Sequence, residues 1–340
     1  MADIFIYPVL FFVSTPFFIH HLGTEQFGIW MLVNTVVVSM QVFNFGIGSS
    51  VLKNTALYIG RQETDAKARI VNSAIIITML LFVLSVAVGV SGFFLISHSD
   101  IFSISSAYRP VCARCFFLAT LIVAIKFFEQ IFTGYFKALE QYKIAAVLGS
   151  GNRLLGLALN IVLLVFARPS IEEILLVIIA VNSVFIVIAL MLFRKSLPRY
   201  SFRFNFKIPR HESSFALISW FQSLALILTF QSDRYFILSY FGLVTLGYYA
   251  LVATMFNHIH MGFSAIVPWL SPKFTKLHAQ DINGIELYRI AERIVTVFSA
   301  AALIVLYLAY PFLFRWLFDA DTASHILPYM KCFILFEIFF

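Results

Sequence analysis

The sequence predicts an all-α polytopic membrane protein, with about ten transmembrane helices in two pseudo-symmetric bundles around a central cavity. Three observations predict this class: 61% of the 340 residues are hydrophobic and 12% charged, the apolar residues form runs of about 20, and one short pattern occurs twice. A chain this apolar cannot build a water-facing surface, so its solvent is lipid. The runs lack the alternation of a barrel wall, so the spans are helices that satisfy their own peptide groups.

Ten apolar stretches are placed against a hydrocarbon core of about 30 Å. The predicted spans are residues 4–19, 27–52, 70–97, 111–135, 144–167, 171–193, 213–238, 244–270, 294–314 and 325–340. The first span is short, and the last stops at Phe340 without a polar end. We therefore expect the chain to be a fragment or a truncated reading frame.

Basic residues in the connections predict the orientation. The loops after the even-numbered spans carry sixteen, whereas the other loops and the outer end of the seventh span carry four, Arg109, Arg168, Arg315 and Arg234. The sixteen are Lys53, Arg61, Lys67, Arg69, Lys137, Lys143, Arg194, Lys195, Arg199, Arg203, Lys207, Arg210, Lys273, Lys276, Arg289 and Arg293. By the positive-inside rule the N-terminus is cytoplasmic, so the net charge of +7 reflects topology rather than nucleic-acid binding.

The longest charged connection predicts the domain organisation. Residues 1–195 form an N-terminal six-helix bundle, residues 196–212 a cytoplasmic basic linker, and residues 213–340 a C-terminal bundle of four helices. Six spans against four indicate that the second bundle is incomplete.

A repeated pattern supports the two bundles. The sequence LGTEQFGIWMLV at residues 22–33 aligns with FGLVTLGYYALV at residues 241–252, at a constant offset of 219. Each copy lies in a turn on the predicted outer side, between an odd-numbered and an even-numbered span. The two copies therefore have the same orientation in the membrane, as a parallel repeat requires. The alternative is chance similarity between two apolar stretches.

Ionisable residues inside spans are the candidate functional residues, because a charge in lipid is costly unless it faces protein or water. Arg153 lies about 14 Å into its span, too deep to snorkel easily. Lys126 is similarly deep and shares a helix face with Glu129. Lys126 and Arg153 belong to one helical hairpin, so we expect them to approach one cavity. The alternative for Lys126 is a structural ion pair with Glu129.

Three further charges complete the set. Arg114 and Arg234 are weaker candidates for anion binding, and Asp233 joins Glu129 as a candidate for ion coupling. The alternative for Asp233 and Arg234 is an interfacial pair at an outer edge. A cavity with more cations than carboxylates suits a phosphate or pyrophosphate, since a guanidinium binds phosphoryl oxygens bidentately.

Other motifs carry less information. The FGIGSS sequence at residues 45–50 is typical either of close helix packing through small residues or of a hinge or broken helix. No nucleotide-binding, metalloprotease or nucleophile-elbow motif occurs in the sequence, so we predict no cofactor, no metal site, no catalytic residue and no enzymatic activity.

Several motifs taken together resemble a known family. They are HLGTEQFGIW at residues 21–30, GIGSSVLK at residues 46–53, and QSDRY at residues 231–235 followed by Gly242 and by GYY at 247–249. In this order and spacing they resemble the Wzx-type O-antigen and polysaccharide flippases of the multidrug, oligosaccharidyl-lipid and polysaccharide exporter superfamily.

The resemblance implies a function. A member of that family moves an undecaprenyl-pyrophosphate-linked oligosaccharide, such as an O-antigen or capsular repeat unit, across the bacterial cytoplasmic (inner) membrane. It implies membrane lipid, H+ or Na+, and polysaccharide assembly machinery as partners, and a place in lipopolysaccharide biosynthesis. The family has twelve to fourteen spans, whereas about ten are predicted here.

Two alternatives remain open. A multidrug or organic-cation antiporter of the same superfamily would need acidic residues in the cavity, and the excess here is basic. A polysaccharide polymerase or glycosyltransferase would need a large outer loop, and the longest here has about 14 residues.

Overall fold

The fold is described from a computed structural model, which covers residues 2–44, 46–60, 64–99, 102–196, 210–264 and 285–337. Within these ranges the chain consists of helices joined by turns, without a strand. The predicted all-α polytopic class is confirmed.

Eleven α-helices and two short irregular helices make up these ranges. They are α1 (Ala2–Leu22), α2 (Thr24–Met40), a 3₁₀ helix (Gln41–Asn44), α3 (Ile47–Gly60), α4 (Thr64–His98), α5 (Arg109–Ala138), α6 (Tyr142–Ala146), a π-helix (Val147–Gly151), α7 (Asn152–Ala167), α8 (Ile171–Ser196), α9 (Arg210–Ser264), α10 (Ile285–Leu317) and α11 (Ala320–Glu337).

Seven segments of the described chain are long and apolar enough to cross a membrane, and Ile6–Leu22 is a shorter apolar helix. The seven are Thr24–Asn44, Arg69–His98, Arg109–Ala138, Tyr142–Ala167, Ile171–Ser196, Trp220–His260 and Tyr288–Leu317. Large apolar side chains on these segments point outward, as on Phe166, which is 83% exposed, and Trp316, which is 80% exposed. In a soluble protein such exposure would be unfavourable, whereas lipid accepts it.

Several predicted spans differ in detail from the observed helices. The second is interrupted between α2 and α3. The seventh and eighth both lie in α9, which turns sharply at Gly242, where φ is 78° and ψ −172°. Part of the eighth span, residues 265–270, lies outside the described residues, as does most of the predicted linker at 197–209.

Backbone packing divides the chain into two compact units. The larger unit is Phe17–Gly247, and the smaller unit is Met1–Pro16 with Tyr248–Phe340. The predicted division at residues 196–212 stays a prediction.

Helix α5 is the central element of the larger unit. It packs against α2, α3, α4 and α8, and half of its residues are buried. In lipid no hydrophobic force drives helices together, so close packing and internal polar contacts must hold α5 to its neighbours. The buried half of α5 is therefore where a polar side chain can find protein partners.

Aromatic side chains organise the smaller unit. The Phe12 ring lies edge-on to Phe314 and Phe318, with centroids 5.3 and 6.2 Å away. Tyr248 stacks in parallel on His325 at 5.5 Å. These contacts join α1 to α10 and the start of the second half of α9 to α11.

The repeated pattern has a structural counterpart in the larger unit. Gly23 has φ 79° and ψ 166°, nearly the values of Gly242, its partner in the alignment. Few residues other than glycine adopt this positive φ. The other aligned pair, Gly28 and Gly247, lies where α2 crosses α9, with the two glycine backbones in contact. Gly23 and Gly242 thus have equivalent backbone conformations, which is consistent with the predicted repeat.

Candidate functional site

The candidate site begins on α5, which holds Lys126 and Glu129 inside its span. Both side chains are half-buried. They lie three residues apart and so share one face of the helix. Lys126 makes no direct ion pair with Glu129 among the described residues, so the structural pair considered from the sequence is not formed.

Glu129 is instead hydrogen-bonded to asparagine. Asn152 at the start of α7 donates its Nδ2 to Glu129 Oε2 at 3.2 Å and to Asn182 Oδ1 at 2.9 Å. Asn182 on α8 donates its own Nδ2 to the Ile178 carbonyl at 2.6 Å. Both asparagines are buried, and the three side chains form a polar chain across α5, α7 and α8.

An irregular turn places Asn152 in this chain. The π-helix Val147–Gly151 directly precedes it. A Cβ added to Gly149 would lie 3.6 Å from Glu129 Oε1, so the missing side chain brings the backbone close to the carboxylate. A π-turn accommodates one more residue than an α-turn, and such turns are frequently found at functional sites.

Arg153 follows Asn152 and brings the second cation. It lies within electrostatic range of Lys126 and Glu129, so the structure does bring together the two cations predicted to approach each other. Its side chain is exposed and makes no hydrogen bond or ion pair with the described residues. The guanidinium is therefore available to a ligand.

The charge and the free acceptors of this cluster define its chemistry. Two cations and one carboxylate leave one net positive charge, which favours an anion. The buried Asn152 Oδ1 accepts no hydrogen bond from the described residues and lies on the same side chain that holds Glu129. Amide and carboxylate oxygens together can hold a proton or a small cation.

Arg114 lies elsewhere. Its Nε donates to Glu172 Oε1 at 2.8 Å, linking the second turn of α5 to the first turn of α8 in a half-exposed ion pair. Twelve residues of helix separate it from Lys126, about 18 Å at 1.5 Å per residue. The structure does not bring Arg114 to the candidate cluster.

Asp233 and Arg234 lie on α9 in the larger unit. Asp233 Oδ1 accepts a hydrogen bond from the Arg234 backbone N–H at 2.9 Å. The Arg234 side chain is only 3% exposed, and the adjacent Tyr235 hydroxyl approaches Ser39 on α2. Arg234 is thus buried within the larger unit, and its pairing with Asp233 at an outer edge stays a prediction.

The asparagines were not predicted from the sequence. Ionisable residues inside spans were the signal used, whereas Asn152, Asn182 and the equally buried Asn160 are neutral. A buried amide in lipid also needs a hydrogen-bond partner. A search for any strongly polar residue inside the apolar runs would have found all three.

Comparison with known proteins gives a family and a fold. Residues 4–278 match the family described as "Polysaccharide biosynthesis protein". No curated protein matches the sequence.

Solved structures share the fold at low identity. An inward-facing multidrug resistance MATE family transporter of the MOP superfamily is 14% identical, has a TM-score of 0.65, and aligns over 97% of this chain and 78% of its own. A chain described only as "protein A" is 15% identical, has a TM-score of 0.69, and aligns over 97% of this chain and 76% of its own. A MATE protein in complex with MaD3S is 14% identical, has a TM-score of 0.54, and aligns over 99% of this chain and 79% of its own.

The family match covers most of the sequence, and the helical fold agrees with it. The resemblance predicted from the motifs is confirmed. This multi-pass membrane protein belongs to the polysaccharide biosynthesis protein family.

Proposed function

We propose that the protein is a flippase that moves an undecaprenyl-pyrophosphate-linked oligosaccharide, an O-antigen or capsular repeat unit, from the cytoplasmic to the outer leaflet by alternating access. The observation that carries this proposal is the intramembrane cluster of Arg153, Lys126 and Glu129 in a chain of the polysaccharide biosynthesis family. A lipid-linked sugar presents its charge as pyrophosphate, and the cluster has the opposite sign.

Arg153 and Lys126 bind the head group in this proposal. Arg153 is exposed and not engaged by other described side chains, so its planar fork is free to bind two phosphoryl oxygens. Lys126 supplies a second charge from the neighbouring helix. Arg114 and Arg234 have weaker roles: Arg114 is occupied by Glu172, and Arg234 is buried.

Glu129 couples transport to an ion in this proposal. Its carboxylate lies beside two cations and is held by Asn152, whose remaining oxygen points to no protein donor in the described chain. Binding of H+ or Na+ there changes the net charge seen by the head group. Asp233 is the second candidate, on α9.

The cellular setting follows from the substrate. A substrate made on undecaprenyl pyrophosphate places the protein in the bacterial inner membrane, with a cytoplasmic N-terminus, in lipopolysaccharide or capsule assembly. Polysaccharide assembly machinery is its protein partner, and transport involves no catalytic step.

Complementation tests the proposal. In a strain without its own flippase, the wild-type chain is expected to deliver lipid-linked repeat units to the outer leaflet. The Arg153→Ala, Lys126→Ala double variant, expressed to the same level, is expected to fail. Full activity of the double variant would remove the binding assignment. Resistance to cationic dyes without any effect on surface polysaccharide would favour a multidrug antiporter. Polymerising activity of the purified protein would favour an enzyme.

A further inference from the structure

One face of α7 carries polar groups beyond those bonded to Glu129. Asn152, Gly156 and Asn160 follow one another at intervals of four residues, so they share a face of the helix, and all three are buried. Asn152 is 4% exposed and Asn160 1%. This buried face is therefore polar, although α7 belongs to a segment apolar enough to cross a membrane.

Both amides have an acceptor to spare. Asn152 Oδ1 and Asn160 Oδ1 are buried, and neither accepts a hydrogen bond from the described residues. Asn152 is fixed through its Nδ2, which donates to Glu129 and Asn182, so its Oδ1 remains for a further donor. Buried oxygens of this kind are costly to leave unpaired, and internal water is their usual partner when protein supplies none.

Gly156 leaves space between the two amides. Apart from its chain neighbours and its own helix backbone, a Cβ built on Gly156 would have no atom of the described chain within 4 Å. Helical side chains lean toward the N-terminus, so the Asn160 amide covers the turn that holds Gly156. Asn152 and Asn160 are eight residues apart, about 12 Å along the axis. Space between two polar groups at this spacing suits a short row of water molecules.

The far end of this face rises to the level of the ion pair between Arg114 and Glu172. The hydrogen bond between Asn152 and Asn182 sets the relative height of α7 and α8. From that level Asn160 lies eight residues on along α7 and Glu172 ten residues back along α8, about 12 and 15 Å. The two helices form a hairpin and run in opposite directions, so Asn160 and Glu172 come to nearly the same height. The Glu172 side chain is 30% exposed, so the polar face ends near a partly exposed carboxylate.

We propose that this face of α7 is a proton path between the predicted outer side and Glu129, with Asn152 and Asn160 as its positioning residues. A proton from outer water passes Glu172 and the two amides along hydrogen-bonded water and ends on a carboxylate oxygen of Glu129. It leaves by the same bonds in reverse. A proton needs one acceptor oxygen and a metal cation several, so the path favours H+ over Na+ as the coupling ion.

The groups around Glu129 are those already described. Lys126 on the same helix and Arg153 on α7 are the charges that act on it, and the neutral Asn152 is its hydrogen-bond donor. The use of this path in transport rests on the proposed function, because only a working flippase couples the proton to a substrate. The path itself does not depend on that function.

Silver ions test the path without any substrate, since Ag+ reacts with thiols and enters narrow aqueous spaces. Single cysteines are introduced as Gly156→Cys and Asn160→Cys. The control is Val123→Cys on α5, which is 0% exposed and six residues outward from Glu129. Native thiols are removed by Cys112→Ala, Cys115→Ala and Cys332→Ser.

The purified variants in nanodiscs are treated with Ag+ and unfolded, and their remaining thiols are counted with a fluorescent maleimide. The path predicts loss of most maleimide labelling at Gly156→Cys and Asn160→Cys, with labelling of Val123→Cys unchanged.

Asn160→Leu tests the path in transport. Leucine has the same branched shape as asparagine without a hydrogen-bonding atom, so it interrupts the path and still packs in an apolar span. Loss of one hydrogen-bonded link is expected to slow H+-driven transport in proteoliposomes by about 10-fold. Head-group binding and the melting temperature in detergent should be kept. A merely structural amide would give the opposite result, because leucine removes a buried unpaired oxygen at no cost to transport.

Two variants control for this result. Asn160→Ser keeps a hydroxyl group on the path and should restore H+-driven transport. Asn54→Leu replaces another buried asparagine, on α3, where its Nδ2 donates to Ser50 Oγ at 3.2 Å. It should leave the dependence on the H+ gradient unchanged.

Each outcome decides the inference. Protection of both path cysteines from Ag+, equal loss of labelling at Val123→Cys, or wild-type H+-driven transport by Asn160→Leu would overturn the path. Transport driven by a Na+ gradient alone would overturn it as well. If the wild-type chain moves no lipid-linked sugar, the proposed function fails, and the Ag+ labelling alone decides the path.

Discussion

The account depends first on Arg153, a cation inside a membrane span with no partner among the described side chains. Replacing it by alanine removes a bidentate phosphate contact, and charged hydrogen bonds of this kind contribute about 1.5 to 3 kcal/mol. We expect Arg153→Ala to weaken binding of an undecaprenyl-pyrophosphate saccharide by about 10- to 100-fold in a titration with purified protein.

Controls distinguish this effect from loss of charge or fold. Arg153→Lys keeps the charge without the fork and should lose an intermediate amount. Arg194→Ala removes an exposed arginine at the end of α8 and should bind normally. Equal binding by wild type and Arg153→Ala would contradict the assignment.

Glu129 is predicted to couple transport to an ion. Glu129→Gln keeps an acceptor for Asn152, so the polar chain across three helices remains, but the site can no longer change charge. We expect transport in proteoliposomes to become independent of an imposed H+ or Na+ gradient, while head-group binding is kept. Gradient-dependent transport by Glu129→Gln, at wild-type levels, would exclude this role.

The sequence predicted part of this site. Charges inside apolar runs are visible without a structure, and their cost in lipid indicated an interior position for Lys126 and Arg153. The hydrogen-bond partner of Glu129 was not predictable in this way, because the π-helix sets which face of α7 carries Asn152. Hydropathy also cannot give the pairing of Arg114 with Glu172, since the two lie on non-adjacent helices of the sequence.

At the scale of elements, the helices were predictable and their irregularities were not. A window of hydropathy averages over about 20 residues, so the predicted second span runs straight through the end of α2 at Met40 and the start of α3 at Ile47. The two interpretations of the FGIGSS sequence both apply to the structure: Gly48 packs closely on α5, and Gly46 breaks the helix.

Close packing of α3 on α5 can be tested by adding one methyl group. In Gly134→Ala the Cβ would meet the Gly48 carbonyl oxygen at 2.5 Å, so the helices must separate, at a cost of about 1 to 3 kcal/mol. We expect a lower melting temperature in detergent. The matched control is Gly156→Ala on α7, where nothing lies within 4 Å, and its stability should be unchanged or slightly higher. Equal melting temperatures for the two variants would contradict the observed packing.

At the scale of the whole molecule, the internal repeat was the most informative prediction. The offset of 219 aligned Gly23 with Gly242, which have nearly the same backbone angles, and Gly28 with Gly247, which contact each other. The compact units follow contacts instead of chain order, since Met1–Pro16 groups with Tyr248–Phe340. A division read from the sequence follows the linkers, so it cannot predict that the first helix groups with the C-terminal part of the chain.

The predicted orientation can be tested by labelling. Cys112 and Cys115 are buried, so a Cys332→Ser background leaves no exposed native thiol among the described residues. A membrane-impermeant maleimide should label Ser106→Cys in intact cells, because that loop is predicted to face outward. It should label Gln141→Cys only after permeabilisation. The opposite pattern would reverse the orientation derived from the basic loops.

The most direct test of the account is transport by the purified chain in proteoliposomes. A fluorescent undecaprenyl-pyrophosphate oligosaccharide in one leaflet is followed by an enzyme or quencher that reaches only the other. We predict translocation by the wild-type chain, abolished in the Arg153→Ala, Lys126→Ala variant. Translocation of a cationic dye, with the lipid-linked sugar left in its original leaflet, would contradict the proposed function.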